Sequence, residues 1–270
     1  MGTQAIAFDL DDTLLRDDRT ISDYTVDVLR RAAARGIHIV PASGRARDSM
    51  KPFVDQIGCA SLFIACNGAE IWRSDGSPVR AMVIPDETAQ EILAFSRKHR
   101  AYIQSYKGTR FYYTVQNGYD LAYAATSMLT GVHTEDLPGF VRRHPTSKLL
   151  LMDDPARVAE MLEESRAQFA GRASVTCSKP FYLEFNPPEA TKGQALRACG
   201  ELLGFPLRDA VAFGDSLNDL SMLETAGTGV AVANAREEVR QRVGCVCAGN
   251  QEDGVARWIE AHVLAEDAGC

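Results

Sequence analysis

The sequence predicts an α/β fold in which one parallel-sheet domain is interrupted by an inserted domain. Three observations carry this. Short unbroken apolar runs, Ala5-Ile6-Ala7-Phe8, Leu62-Phe63-Ile64-Ala65 and Ala210-Val211-Ala212-Phe213, read as strands buried on both faces. Helical patterns alternate with such runs in the first and last parts of the chain, as βαβ units require. From Asp86 to about Pro187 the rhythm changes, and most of the aromatic residues lie there.

In order, strand 5–9 leads to a helix at 22–35, started by Ser22, striped by Val26, Leu29 and Ala33, and closed by Gly36. Strand 37–40 follows. The turn Ala42-Ser43-Gly44-Arg45 opens another helix, and strand 62–65 ends at Asn67-Gly68. A hairpin pairs 71–72 with 79–84 around Ser74-Asp75-Gly76. The inserted segment reads as helix 87–99, strands near 101–105 and 110–115, helix 118–127, strand 148–152, helix 156–169, and strands 173–178 and 181–185. Pro187-Pro188 then breaks the chain. Afterwards come helix 192–202, strand 210–213, helix 217–225, strand 229–232, helix 236–242, strand 244–247 and helix 254–264. The expected division is therefore 1–84 with 188–270 as the core and 85–187 as the insert.

Composition narrows the function. A 270-residue chain with 46% hydrophobic residues builds a substantial core. A net charge of −7 argues against nucleic acid or an anionic membrane as main partner. Seven scattered cysteines with no C-x-x-C pair suggest neither zinc nor a disulfide framework. Cys245 and Cys247 read as buried thiols on a strand. No stretch approaches membrane-spanning length, no leader pattern opens the chain, and no N-x-[ST] sequon occurs. Together these point to a reducing cytosol and a small-molecule substrate.

The chemistry begins at Asp9-Leu10-Asp11-Asp12-Thr13. Acids at i and i+2 leave the strand on the same side, at the end where open α/β sheets bind ligands. Held together they repel, and a hard divalent cation such as Mg²⁺ resolves the conflict. A carboxylate beside such a metal can attack phosphorus. A solvated acidic turn is the plain alternative. An EF-hand fails, because Leu14 and Thr20 stand where Gly and Glu are needed. The second cluster, Gly214-Asp215-Ser216-Leu217-Asn218-Asp219, also follows a buried strand, so Asp215 is suited to complete the metal site. Asp219 has two readings, metal support and a capping box with Ser216. Thr191 and Gln194 make another capping box, which puts Lys192 in a first helical turn. A cation is disfavoured there unless an anion is bound, so lysine and free N–H groups read as a phosphate cradle. Taken alone, a solvated lysine is the simpler reading, and Ser43-Gly44 is simply a turn. His38 reads as a satisfied core residue.

Set in order, Asp9-Leu10-Asp11-Asp12-Thr13-Leu14-Leu15, Ser43-Gly44-Arg45, Lys192-Gly193 and Gly214-Asp215-Ser216-Leu217-Asn218-Asp219 resemble the four motifs of the haloacid dehalogenase superfamily. Asn67-Gly68-Ala69, Phe181-Tyr182-Leu183-Glu184-Phe185, the stretch Gly229 to Ala235 and Glu252-Asp253-Gly254-Val255-Ala256 are similar to its Cof-type subgroup. The resemblance implies a Rossmann-like core with an α/β cap and a Mg²⁺-dependent phosphatase acting on small phosphorylated metabolites. It implies Asp9 as nucleophile and Asp11 as general acid and base. Leu10, Ser43, Gly44, Lys192 and Asn218 would bind phosphate. Asp9, Asp11 and Asp215 would hold the metal, supported by Asp219. Ser43 stands where threonine is frequent, Asp12 replaces the commoner glycine, and the usual methionine and glycine near Val232-Ala233 are missing. Two other classes stay open: a phosphomutase using the same aspartate, and a non-catalytic metal or phosphate module. The latter would be expected to lose an acid at 9 or 11, and both are present. Tyr106, Arg110, Tyr112 and Tyr113 read as packing or surface residues rather than substrate contacts.

Overall fold

The computed structural model describes residues 2–265, so Cys270 lies outside the described residues. In chain order the elements are β1 (Ala5–Phe8), α1 (Asp23–Ala34), β2 (His38–Pro41), α2 (Arg47–Ile57), β3 (Leu62–Ala65), β4 (Glu70–Arg73) and β5 (Pro78–Ala81). Then come α3 (Asp86–His99), β6 (Tyr102–Lys107), β7 (Arg110–Tyr113), α4 (Tyr119–Ser127), β8 (Thr130–His133), α5 (Leu137–Arg143), β9 (Leu149–Met152), α6 (Pro155–Gln168), β10 (Ser174–Thr176) and β11 (Tyr182–Asn186). The last part holds α7 (Lys192–Leu203), β12 (Ala210–Gly214), α8 (Leu220–Thr225), β13 (Thr228–Val232), α9 (Glu237–Val243), β14 (Val246–Cys247) and α10 (Gly254–Ile259).

The apolar runs form a parallel sheet ordered β14-β13-β12-β1-β2. Phe8 lies beside Phe213 and Pro41, so the chain leaves β1, β12 and β2 at one sheet edge. The expected third parallel strand is a partial departure. β3 bridges β2 in parallel at Ile39–Ala60 and Ala42–Ile64, yet its ladder runs antiparallel to β4, in a separate sheet β3-β4-β5. A third, largely antiparallel sheet, β10-β11-β9-β6-β7-β8, belongs to the cap region. Only β7 and β8 pair in parallel within it.

Two elements of the cap region went unread in the sequence. β8 has no buried residue and contains Gly131, so it shows no apolar alternation. The helix α5 carries Pro138-Gly139, which looks like a turn. The proline is tolerated because it lies in the first helical turn, and Asp136 Oδ1 accepts from Gly139 N at 2.7 Å. Expected helix 217–225 starts later, at Leu220, because residues 216–219 turn around the Asp219 carboxylate. Past Ile259, the predicted last helix widens into a looser turn over Glu260–Leu264. Cys245 and Cys247 are half-buried rather than buried, since β14 is an edge strand only two residues long.

Separate apolar clusters lie under the parallel sheet and within the 84–185 segment. An aromatic seam, Tyr102, Phe111, Tyr113 and Tyr123, joins them by packing with Ala46, Cys66, Ala69 and Ala190. Among the described residues no helix is long and apolar enough to cross a membrane.

Candidate active site

The backbone places the acids before any side-chain contact is considered. Asp9 N donates to Phe213 O at 3.0 Å, so the β1–β12 ladder runs right up to the first acid. Beyond it the chain turns sharply, with Asp12 in the left-handed region at φ 58°, where short acidic side chains are among the better tolerated. Asp9, Asp215 and Asp219 are buried, and one carboxylate oxygen of each lies within 4.8 Å of the others.

Lys192 is wholly buried between them. Its Nζ lies 2.8 Å from Asp9 Oδ1 and donates to Asp219 Oδ1 at 2.6 Å. Burial disfavours the lysine charge, but Asp219 and Asp9 outweigh it and hold the ammonium above its ordinary value. The lysine reaches this depth because α7 and α8 nearly touch. A Cβ on Gly193 would come within 2.2 Å of Ser221 O. The helix N–H groups do not form the expected cradle. Gly193 N donates to Ser221 Oγ and Gln194 N to Thr191 Oγ1, so both are engaged inside the protein. Lys192 Nζ is what α7 contributes.

Of the two readings for Asp219, the structure shows half of the capping box. Asp219 Oδ2 accepts from Asp215 N and Ser216 N at 3.0 and 2.9 Å, fastening the loop. Ser216 does not return a cap. Its hydroxyl donates to Asp215 Oδ2, while Thr13 Oγ1 donates to Asp215 Oδ1, each at 2.7 Å. Burial, together with the Asp219 charge, pushes the Asp215 carboxyl up to about 7. Burial also raises Asp9, against the opposing pull of Lys192.

Asp11 is engaged elsewhere. Arg45 Nε donates to its Oδ2 and Nη2 to its Oδ1, both at 2.7 Å. Burial pushes Asp11 up, but the Arg45 hydrogen bonds and charge outweigh it and leave the carboxyl below its usual range. Arg45 Nη1 also donates to Ser49 Oγ and to Thr126 O, the latter near the C-terminal end of α4. Asp9, Asp11, Asp215 and Asp219 thus face Lys192 and Arg45, an excess of two carboxyl groups over cations that burial resists ionising at Asp9 and Asp215. A divalent cation matches that excess and the oxygen-only donor set. The side chains that converge for it are Asp9, Asp215 and Asp219, and the Asp11 carboxylate is turned to Arg45.

The remaining expected residues lie around the same cleft, lined by Asp9, Asp11, Ser43, Gly44, Asp215 and Asn218. Leu10 is fully buried in the turn, and Ser43 Oγ accepts from Arg45 N at 3.1 Å. The opposite wall was not foreseen: Tyr123, Thr126, Lys148, Lys179, Tyr182 and Glu184. Lys148 and Glu184 form a buried ion pair, and Lys148 Nζ donates to Gly44 O at 2.7 Å. A lysine opening the apolar run Leu149–Met152 was the available signal, since a buried lysine needs a partner. Of the four residues set aside as packing or surface, Tyr113 is buried, Tyr106 and Tyr112 are half-buried and Arg110 is exposed; none lines this cleft. His38 is half-buried beside Ser61 Oγ, as expected of a satisfied residue.

Comparison with known proteins bears on the same chemistry. Residues 6–259 match the family model of the haloacid dehalogenase-like hydrolases. Phosphatase YwpJ of Bacillus subtilis is 31% identical, over 96% of this chain and 99% of its own. The 5-amino-6-(5-phospho-D-ribitylamino)uracil phosphatase YcsE of the same organism is also 31% identical, over 96% and 95%. A crystal structure of a haloacid dehalogenase-like hydrolase from Bacteroides thetaiotaomicron superposes with a TM-score of 0.85 at 28% identity, covering 96% of this chain and 99% of that one. These matches span nearly the whole chain, and the two relatives are phosphatases by name. On that basis the chain belongs to the haloacid dehalogenase-like hydrolases, in their Cof-type subgroup, and is a phosphatase.

Proposed function

We propose that this enzyme hydrolyses small phosphomonoesters, sugar phosphates or similar, through an aspartyl-phosphate, with Mg²⁺ as cofactor. The observation that carries this reading is the convergence of the buried Asp9, Asp215 and Asp219 carboxyls, with Lys192 bridging Asp9 and Asp219. Asp9 and Asp215 would hold the ion through their carboxylates, Asp11 through its backbone oxygen, and Asp219 supports the loop. Bound there, Mg²⁺ offsets the repulsion between carboxylate and phosphate oxygens.

The chain's own residues supply the rest. An oxygen of Asp9 attacks phosphorus as the bond to the ester oxygen breaks. Asp11, ionised while paired with Arg45, takes up a proton from solvent as it turns away and gives that proton to the oxygen of the leaving group. Asp11 then takes a proton from water, which attacks the same phosphorus and frees Asp9 and inorganic phosphate. Lys192, Ser43 and the backbone at Leu10 and Gly44 hold the phosphoryl oxygens. Residues 85–187 act as the cap, whose wall of Tyr123, Lys148, Tyr182 and Glu184 excludes water and selects the alcohol. We take the compartment to be the cytoplasm, in keeping with the free thiols of the described residues.

Product analysis with a hexose 1-phosphate tests this, with and without Mg²⁺ and a hexose bisphosphate. Free sugar and inorganic phosphate in equal amounts, dependent on Mg²⁺, are expected. Rapid conversion to the 6-phosphate with little phosphate release would overturn hydrolysis in favour of mutation.

A further inference from the structure

The loop Ser43-Gly44-Arg45 is tied down at nearly every polar backbone group. Ser43 N donates to Ile64 O at 2.9 Å, Cys66 N to Arg45 O at 2.9 Å and Asn67 N to Ser43 O at 3.1 Å. Arg45 N donates to Ser43 Oγ at 3.1 Å. The Gly44 carbonyl is held from the opposite wall of the cleft, where Lys148 Nζ donates to it at 2.7 Å. Among the described residues, Gly44 N and the Ser43 hydroxyl give their hydrogens to no acceptor, and both residues line the cleft beside Asp9.

Lys148 is 3% exposed, and Glu184, which accepts another of its hydrogens, is 1% exposed. Burying such a pair costs the desolvation of both ions, and apolar residues in its place are often no less stable. Stability alone therefore gives little reason for the pair, whereas the bond to Gly44 O gives one. The peptide that joins Gly44 to Arg45 is gripped at both ends, by Lys148 at its oxygen and by Ser43 Oγ at its N–H. An amide N–H can only donate, so Ser43 Oγ accepts there and its single hydrogen stays available. Turning this peptide would break both bonds and release the hydroxyl.

We infer that Lys148 is a positioning residue for phosphate: through the Gly44–Arg45 peptide it fixes the Ser43 hydroxyl with its hydrogen toward the phosphoryl group, and Glu184 holds Lys148 in place. This rests on the phosphatase reading and adds a residue that lies outside all four motifs. Lys148 immediately precedes β9 in the cap region, so cap and core complete the phosphate loop together. The third hydrogen of the ammonium is engaged by neither bond, which makes direct contact between Lys148 and phosphate the rival that the test must separate.

Lys148→Met combined with Glu184→Gln removes both charges, keeps the net charge of the site and leaves no unpaired carboxylate. Inorganic phosphate, titrated by calorimetry with Mg²⁺ present, should bind this variant about tenfold more weakly, as expected for one lost hydrogen bond to an anion. kcat/KM should fall by the same factor for glycerol phosphate and p-nitrophenyl phosphate, because the phosphoryl group is what the two esters share. In a Ser43→Ala background the two substitutions should cost little more, because Lys148 acts through Ser43. Glu184→Gln alone keeps an oxygen for Lys148 and the bond to Gly44 O, so phosphate affinity should hardly change. This milder variant decides even where the paired one does not fold. Unchanged phosphate affinity in the paired variant would overturn the proposal. So would a loss confined to glycerol phosphate, which would make Lys148 a contact of the alcohol alone. Losses that multiply with Ser43→Ala would overturn it in favour of direct contact with phosphate, and tighter phosphate binding by Glu184→Gln would reduce Lys148 to its charge. Failure of the phosphatase reading itself would look different, since the unmodified enzyme would release no phosphate from either ester.

Discussion

Asp9 and Lys192 show how one residue's surroundings set its chemistry. A carboxylate buried with three other acids is a poor anion, and the ammonium 2.8 Å away keeps it usable. Asp9→Asn keeps shape and removes the nucleophile, so turnover should be abolished while the melting temperature changes little. Wild-type phosphate release from the purified variant would refute nucleophilic attack by Asp9. Asp11→Asn should behave less uniformly. Its first step needs an acid for an alkoxide leaving group and hardly any for p-nitrophenolate. The burst with p-nitrophenyl phosphate should therefore survive while that with a sugar phosphate is lost. Equal loss of both bursts in rapid-mix experiments would remove Asp11 from the acid role. Asp9, Asp215 and Lys192 were legible because each follows a strand or capping pattern that fixes its direction. Arg45 was legible only as a motif letter. That it holds both oxygens of Asp11 depends on a contact across 34 positions of sequence.

Helices and loops position these side chains through a few close approaches. One lies between α7 and α8, where Gly193 leaves no room for a methyl group against Ser221 O. Gly193→Ala should destabilise the protein by about 1–3 kcal/mol through overpacking. It should also lower kcat, because separating α7 from α8 draws Lys192 away from Asp219. Urea unfolding and steady-state kinetics check both, and an unchanged midpoint would show that the helices can part without cost. Across the cleft, Arg19 Nη1 donates to Ala125 O and Arg45 Nη1 to Thr126 O, at 3.3 and 3.2 Å. These arginines meet the C-terminal carbonyls of α4, where cations are favoured. The segment 85–187 should transfer substrate choice with it. Exchanging it for the same segment of a related phosphatase should reorder the preferred esters and leave the Mg²⁺ requirement in place. An unchanged order would assign selection to the core.

At the scale of the molecule, the metal site and stability are linked. The Asp215 carboxyl titrates at about 7 in the fold against 3.8 for the unperturbed group. Between those values the folded chain keeps a proton that the unfolded chain loses, so without metal its stability falls as pH rises through this window. A cation requires the deprotonated carboxylates, and its binding releases the proton. The rise in melting temperature on adding Mg²⁺ should therefore be larger at pH 8 than at pH 5.5. An equal rise at both would show that Asp215 is already ionised before metal binds.

What the sequence determined by itself is local or periodic. Apolar runs such as Ala5–Phe8 read as buried strands from their shortness and their bounds, and acids placed directly after such strands emerge at a sheet edge. The change of rhythm after Asp86 could be read because two sheets with different connections need different spacing. The four motifs carried the family because their order along the chain is itself one-dimensional information. The tertiary structure alone decided which partner each group meets. It set Asp11 against Arg45, gave Gly193 N to Ser221 Oγ, paired Lys148 with Glu184 beneath Gly44, and ran the amides of Asn186, Asn67 and Asn218 into one row. A buried polar group takes whatever partner packing brings within hydrogen-bonding distance, and for these residues the partner lies from 28 to 151 positions away. No local pattern encodes a choice made over that distance.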